Sequence, residues 1–428
     1  MNKQKLSEQK LPARSEGIKN MNPLSAQIPI SEATVTARAQ RVTAIDLVRA
    51  LTMILMIFVN DLWSLSDIPA WMEHAEHGVD GIGLADIVFP AFLFIVGLSM
   101  PYAIDARRKK GDTQWQLIQH VLLRTIALLT MGVFLVNGED INTEATGMAR
   151  LVWNTLCCVS FILIWNSYPK TLSKSVIYIL KGVGIATLVT LAILYRGGDG
   201  EALHYFAPQW WGILGLIGWA YFASGIVTVL AKNNVYTIIS AWIFFSVLSM
   251  VAHSGLIPQP LHFIPDAIRG GTLTGLTVGG VLTSLIFQYY RSKNENIKMT
   301  VVLLGFAAVL LVLSILTRPY WGLAKLGATP AWLFLCSAFT IMALVVIYWI
   351  ADVLGKANWF NIIKPAGTDT LLCYLMPYFA YATTNLLGVH LPGFMLIGFV
   401  GLIKSLAFAI LCAVITGQLS KVGVKLKL

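Results

Sequence analysis

In a chain poor in charge, many of the side chains able to do acid–base chemistry gather between residues 46 and 86. Asp46 and Arg49 stand three residues apart, and Asn60 closes the same stretch. At helical spacing positions 46, 49, 53, 56 and 60 share one face, with Met53 and Met56 between the polar groups. An aspartate and an arginine at i, i+3 lower one another's cost in an apolar segment, and as an ion pair they could equally fix the end of a helix. Asn60 lies about 16 Å further along that helix. The segment Trp71-Met-Glu-His74-Ala-Glu-His77-Gly-Val-Asp80 then brings two imidazoles three residues apart among carboxylates. Such a group could hold a divalent cation. Its spacing is H-x-x-H rather than the H-E-x-x-H of a zinc hydrolase, so no metal site is assigned, and Glu76, His77 and Asp80 read as a solvated loop. Asp86 opens the next apolar run. Pro90, four residues on, cannot donate the helical hydrogen bond that the Asp86 carbonyl would accept, which leaves that carbonyl free. Asp86, Pro90, Gly97 and Pro101 fall close to one helical stripe, where another backbone or a long ligand could approach closely.

The elements that position these groups follow from composition. The chain has 428 residues, of which 57% are hydrophobic and 12% charged, against roughly 25% charged in soluble proteins. That excludes an ordinary cytosolic enzyme. Apolar runs of about 20 residues span roughly 30 Å of hydrocarbon, so the expected fold is all-α: a polytopic integral membrane helical bundle of about 11–12 transmembrane helices. The runs lie at about 44–62, 84–104, 117–136, 150–167, 174–195, 209–230, 236–252, 272–290, 299–317, 330–354, 368–388 and 395–418. The sixth and seventh are joined by so few residues that a re-entrant pair would also fit.

The net charge of +10 raises nucleic acid as a partner, and the placement of the charge argues against it. About 22 of the 31 basic residues fall in the N-terminal tail and in alternate loops: Lys3, Lys5, Lys10, Arg14, Lys19, Arg38 and Arg41 in the tail, then Arg107-Arg108-Lys109-Lys110, Lys170 and Lys174, Lys232, Arg291 with Lys293 and Lys298, Lys356 with Lys364, and Lys421, Lys425 and Lys427. The intervening loops hold Arg150, Arg196, Arg269, Arg318 and Lys325. By the positive-inside rule both termini face the cytoplasm, and the partner is the lipid bilayer. Residues 1–40 read as a flexible polar cytoplasmic tail without the apolar core of a signal peptide, 41–420 as the membrane domain, and 421–428 as a basic cytoplasmic tail. An integral protein of a bacterial inner membrane is expected. Lys404, inside the last run, must snorkel, line a cavity or mark a misplaced boundary. Five scattered cysteines indicate neither a zinc site nor disulfides. Trp210, Trp211, Trp321 and Trp332 near run ends read as headgroup anchors, with a sugar-stacking platform as the alternative for Trp332.

The segment Ala44-Ile-Asp46-Leu-Val-Arg49-Ala50, the run ending in Asn60, His74-Ala75, and Ala85-Asp86-Ile-Val-Phe-Pro90 leading to Phe94-Ile-Val-Gly97-Leu-Ser99 resemble the heparan-α-glucosaminide N-acetyltransferase family of transmembrane acyltransferases. Looser similarity runs through His120-Val-Leu-Leu-Arg124, Thr329-Pro330-Ala-Trp332 and Gly367-Thr-Asp-Thr-Leu371. The chain departs from the family at Arg150-Leu-Val-Trp-Asn-Thr-Leu-Cys157, where only the first arginine of an R-x-P-G-V-L-Q-R run is kept, and at Asp369 in a G-x-N-S element. The resemblance implies transfer of an acetyl group from cytosolic acetyl-CoA to an amino sugar or glycan outside. It makes His74, Asn60 and Asp86 the catalytic set, with His74 either carrying the acetyl group or acting as general base.

Moving each charge of coenzyme A through the membrane field would cost about 2.3 kcal/mol per 100 mV, quite apart from desolvation. Leaving its phosphates in a basic cytoplasmic mouth avoids that cost. Arg124, set inside the third run, is the leading donor there, with Arg49 and Asp46 assigned to the same cofactor-binding group. A homodimer is left open. The alternative function is a secondary transporter of sugars or amino sugars, for which no clear internal repeat speaks.

Overall fold

The computed structural model describes residues 42–200 and 202–428, so the polar tail assigned to 1–40 lies outside the described residues. Among these, twelve helices have 16 residues or more: α1 (Thr43–Asp61), α2 (Ala85–Arg108), α3 (Gln114–Asn137), α4 (Arg150–Trp165), α5 (Lys174–Leu194), α6 (Ile213–Ala231), α7 (Val235–His253), α8 (Thr272–Ser292), α9 (Asn296–Trp321), α10 (Pro330–Tyr348), α11 (Thr370–Leu386) and α12 (Gly398–Lys421). Each matches one apolar run of the sequence. Nine are long and apolar enough to cross a bilayer. Of the others, α4 and α11 have 16 and 17 residues, and α8 carries four threonines and three glycines. The protein is an all-α polytopic membrane bundle.

Helix starts follow local chemistry. Thr113 and Gln116 form a capping box that opens α3. The Asn234 carboxamide accepts from the Tyr236 and Thr237 amides at the start of α7. Lys232 and Asn233 just before it hold left-handed backbone, φ 47° and 64°. That tight turn lets α6 and α7 be separate 19-residue helices, each long enough to cross, which answers the suspicion of a re-entrant pair.

Burial separates inner from outer helices. In α1 and α2, 67% of the apolar window is buried by protein, against 17% in α5 and 22% in α7, whose exposed apolar residues face lipid. The inner group α1, α2, α8 and α10 packs through close backbone approach. Side chains on Gly97 and Gly280 would overlap the carbonyls of Thr277 and Phe94, so α2 and α8 touch main chain to main chain. This is the close approach that the Gly97 stripe foreshadowed. The buried hydroxyls of Thr277 and Thr283 donate to their own helix at Leu273 and Gly279, so the interface leaves no threonine unsatisfied at that contact.

The loops sort to two ends of the bundle. At one, Ser66 pairs with Ile397, Asp80 with Arg318 and His253 with the Gly327 carbonyl. At the other, the Asp352 carboxylate accepts from the Ala44 amide, Asn233 donates to Asp105, and the Ser167 amide donates to the Lys425 carbonyl.

Gly280→Val should wedge α2 away from α8, at a cost of about 1–3 kcal/mol, and lower the thermal unfolding midpoint in detergent by several degrees. Gly305→Val, at a position where an added Cβ meets nothing within 4 Å, should leave the midpoint unchanged.

Candidate functional site

The loop between α1 and α2 folds back on itself before α2 begins. The Leu84 amide donates to the Trp71 carbonyl at 2.8 Å. Gly83 lies so near the Glu73 carbonyl that any side chain there would overlap it. This neck sets residues 71–75 beside 83–86, and so brings His74 to Asp86 across twelve positions of sequence.

Asp86 is 2% exposed. A carboxylate there has to find all its partners in protein. Oδ1 accepts from His74 Nδ1 at 2.7 Å, and Oδ2 accepts from the amides of Ala75 at 2.9 Å and Gly83 at 3.0 Å. Because an ionised carboxylate can only accept, the proton of the neutral imidazole sits on Nδ1 and the Nε2 lone pair is left available. His74 is 47% exposed, so that nitrogen is within reach from outside the protein. The main-chain carbonyl of Asp86, released by Pro90, accepts from Trp332 Nε1 at 2.9 Å. Trp332 is 1% exposed. It is therefore neither a headgroup anchor nor a sugar platform but an internal brace between α10 and the start of α2.

Lys325 comes from the segment between α9 and α10. Its Nζ stands 3.2 Å from His74 Nδ1, 3.3 Å from Nε2 and 3.9 Å from Asp86 Oδ1. Near-equal distances to both ring nitrogens place the amine against the ring and off either lone-pair direction, leaving a charge contact rather than a directed hydrogen bond. Burial pushes the Lys325 ammonium below the usual lysine range, with Asp86 opposing. The lysine segment is itself clamped: Asp80 accepts from the Leu323 amide at 2.7 Å and pairs with Arg318 at 3.0 Å. These donors, the Leu323 amide first, hold the Asp80 carboxyl below its ordinary range. Asp80 thus clamps the lysine segment while staying 55% exposed in the solvated loop read from sequence.

The remaining sequence-predicted residues lie elsewhere. No hydrogen bond links Asn60 to His74 or Asp86 among the described residues; Asn60 faces a cavity with Glu139, Tyr374 and Tyr378. Arg49 donates to Asp46 at 3.1 Å, to the Gly367 carbonyl at 3.0 Å and to Ser99 Oγ, so it ties α1 to α2 and to the short helix Lys364–Thr368. Arg124 lies with its guanidinium carbon 4.8 Å from the Tyr221 ring centroid. Its buried Nε has no hydrogen-bond partner among the described residues, which suits an anion.

Two groups escaped the sequence reading. One is Lys325, whose loop position marked it only as a topology signal. The other is Asp61, which is 3% exposed and accepts from Lys404 Nζ at 2.7 Å, Ser405 Oγ at 2.6 Å and Tyr381 Oη at 2.6 Å. Lys404 therefore neither snorkels nor marks a misplaced boundary; it neutralises a buried carboxylate.

The sequence matches the model of a family described as "Domain of unknown function (DUF5009)" over residues 41–255, half of the chain. The heparan-alpha-glucosaminide N-acetyltransferase of Mus musculus is 21% identical over 388 residues, covering 83% of this chain and 55% of the relative. The protein of that name from Homo sapiens is 28% identical over 120 residues, 27% of this chain and 17% of the relative. The chain thus spans about half the length of the mouse protein it matches.

Lys404→Met should strand the Asp61 carboxylate and cost about 3–5 kcal/mol, read as a lowered unfolding midpoint in detergent. The double variant Asp61→Leu with Lys404→Met should recover most of that loss, because no buried charge is left over.

Proposed function

The chain belongs to the DUF5009 family and to the heparan-α-glucosaminide N-acetyltransferase-like membrane proteins, and from that premise we propose that it transfers an acetyl group from acetyl-CoA on the cytoplasmic side to an amino sugar or related glycan on the other side. The observation that carries this reading is a half-exposed imidazole whose Nδ1 is held by a buried carboxylate. A static surface loop has no need of that arrangement, whereas a base or nucleophile acting through Nε2 does.

Sidedness rests on charge. The end that carries Arg107-Arg108-Lys109-Lys110 and the C-terminal lysines is assigned to the cytoplasm, and the His74 end to the exterior. Arg124 holds a phosphate of the donor at the cytoplasmic end, its guanidinium already oriented by Tyr221. Asp46 and Arg49, on α1 toward the same end, brace the path along which the thioester arm enters. The acceptor comes from outside, with Asn60 on its side of the reaction.

At the reacting centre His74 Nε2 takes the proton that the acceptor nitrogen loses as it bonds to the thioester carbonyl carbon. The carbon–sulfur bond breaks, coenzyme A leaves as the thiol, and the nitrogen keeps the acetyl group as an amide. Asp86 fixes the tautomer that leaves Nε2 basic and stabilises the imidazolium once it forms. Lys325 opposes that same imidazolium, so the ring returns its proton readily.

In membranes supplied with labelled acetyl-CoA and glucosamine, His74→Ala should abolish labelled N-acetylglucosamine, and Asp86→Asn should lower kcat by about 10²-fold or more. Full transfer by His74→Ala would overturn the assignment. The charged groups around the ring are Asp86 from α2 and Lys325 from the α9–α10 segment, with the Asp80–Arg318 pair beyond them.

A further inference from the structure

The ammonium of Lys325 is held in place by the fold and yet is not spent on it. Its side chain is 23% exposed, and no oxygen accepts a hydrogen bond from Nζ among the described residues. Both Asp86 oxygens are engaged by His74, Ala75 and Gly83, and the nearer stands 3.9 Å from the amine. Lys404 shows the contrast. It is 13% exposed and donates to Asp61 at 2.7 Å and to Ser64 Oγ at 2.9 Å, so its charge is consumed by the packing. A largely buried ammonium with N–H groups left over costs stability that an apolar side chain of the same length would not.

The segment that presents this amine is fastened from several elements. The Leu323 amide donates to Asp80 and the Ala324 amide to Thr329 Oγ1. The Gly327 carbonyl accepts from His253 Nε2 at the end of α7, at 2.7 Å, and the Ala328 carbonyl accepts from Thr272 Oγ1 at the start of α8, at 2.6 Å. Ala328 takes left-handed backbone, φ 48°, to meet them. Lys325 is thereby set against the His74 ring before any substrate arrives.

Nζ lies 3.3 Å from His74 Nε2. An acceptor nitrogen that gives its proton to Nε2 stands about 2.6–3.2 Å from it, and the oxygen of the carbonyl it attacks is only two bonds further. That oxygen falls within reach of the amine. We propose that Lys325 is a catalytic residue of the acetyl transfer, its ammonium donating to the thioester carbonyl oxygen and stabilising the negative charge that oxygen acquires. The proposal rests on the acetyl-transfer reading. As the carbon–nitrogen bond forms, the carbonyl π pair moves onto oxygen beside Nζ. As the carbon–sulfur bond breaks, that pair returns to the carbon–oxygen bond, and sulfur leaves with its bonding electrons and the proton that Nε2 took from nitrogen. Lys325 keeps its protons throughout. A preset cation in a partly water-excluded site needs no reorganisation as the charge develops, which is why such donors act chiefly on kcat.

The test is difference infrared spectroscopy of carbonyl-labelled acetyl-CoA bound to the full chain in nanodiscs, with no amino sugar present. In the wild type and in His74→Ala the carbonyl stretch should lie at lower frequency than for acetyl-CoA in water. Lys325→Met should lose that shift, and Lys325→Arg, which keeps a cation there, should retain it. With glucosamine added, Lys325→Met should lower kcat by about 10²–10³-fold and leave both KM values within about threefold, a split that a misfolded variant cannot give. A carbonyl left unshifted in the wild type, or a Lys325→Met variant that keeps the shift or the kcat, would overturn the role of Lys325 while leaving acetyl transfer standing. A wild type that shifts the carbonyl through Lys325 yet never forms N-acetylglucosamine would overturn transfer to the sugar and leave the carbonyl contact in place.

Discussion

A carboxylate at the first turn of a membrane helix is expensive unless protein supplies every hydrogen bond it needs, and the His74 end of this molecule is organised around meeting that demand at Asp86. Two backbone amides and one imidazole donate to its two oxygens, and Trp332 takes the carbonyl that Pro90 releases. Each partner constrains something else. The amides fix the neck of the α1–α2 loop, the indole joins α10 to α2, and the imidazole acquires a single tautomer. The reactive nitrogen is thus defined by the same bonds that make the loop foldable. Those bonds hold the loop near the surface without leaving it loose.

Most of the bundle was legible in the sequence because the hydrocarbon thickness imposes a length and a polarity on every crossing helix. Each apolar run became one helix, and the small residues around Gly97 marked a main-chain contact that the structure places against Thr277. His74 and Asp86 could be paired because they lie close in sequence within one motif. Lys325 could not, since 251 residues separate it from His74 and nothing in its loop marks the contact. Lys404 was visible as an anomaly, but its partner Asp61 was overshadowed by the neighbouring Asn60. The two residues point apart: Asp61 into the α11–α12 contact, Asn60 toward the cavity. Helical spacing alone could not choose between them.

The distribution of buried charge gives the two ends different characters. At the His74 end the carboxylates Asp61, Asp80 and Asp86 each meet a cation from a distant helix or loop, so that α1, α2, α9 and α12 are fastened together there. At the opposite end basic residues predominate. Arg107 pairs with Asp112 and Arg108 donates to the Val229 carbonyl, while Arg124 retains a buried nitrogen without a partner among the described residues. An anionic donor suits that second end. The polarity of the proposed reaction follows from that asymmetry and from the membrane's refusal to pass a multiply charged cofactor.

The central claim is that acetyl groups, and not coenzyme A, cross the bundle. Sealed proteoliposomes of uniform orientation, with labelled acetyl-CoA confined to the basic side and glucosamine to the His74 side, test it most directly. The account predicts labelled N-acetylglucosamine only in the glucosamine compartment, with all coenzyme A recovered on the side where it was supplied. Product that forms only when both reactants share one compartment would contradict it.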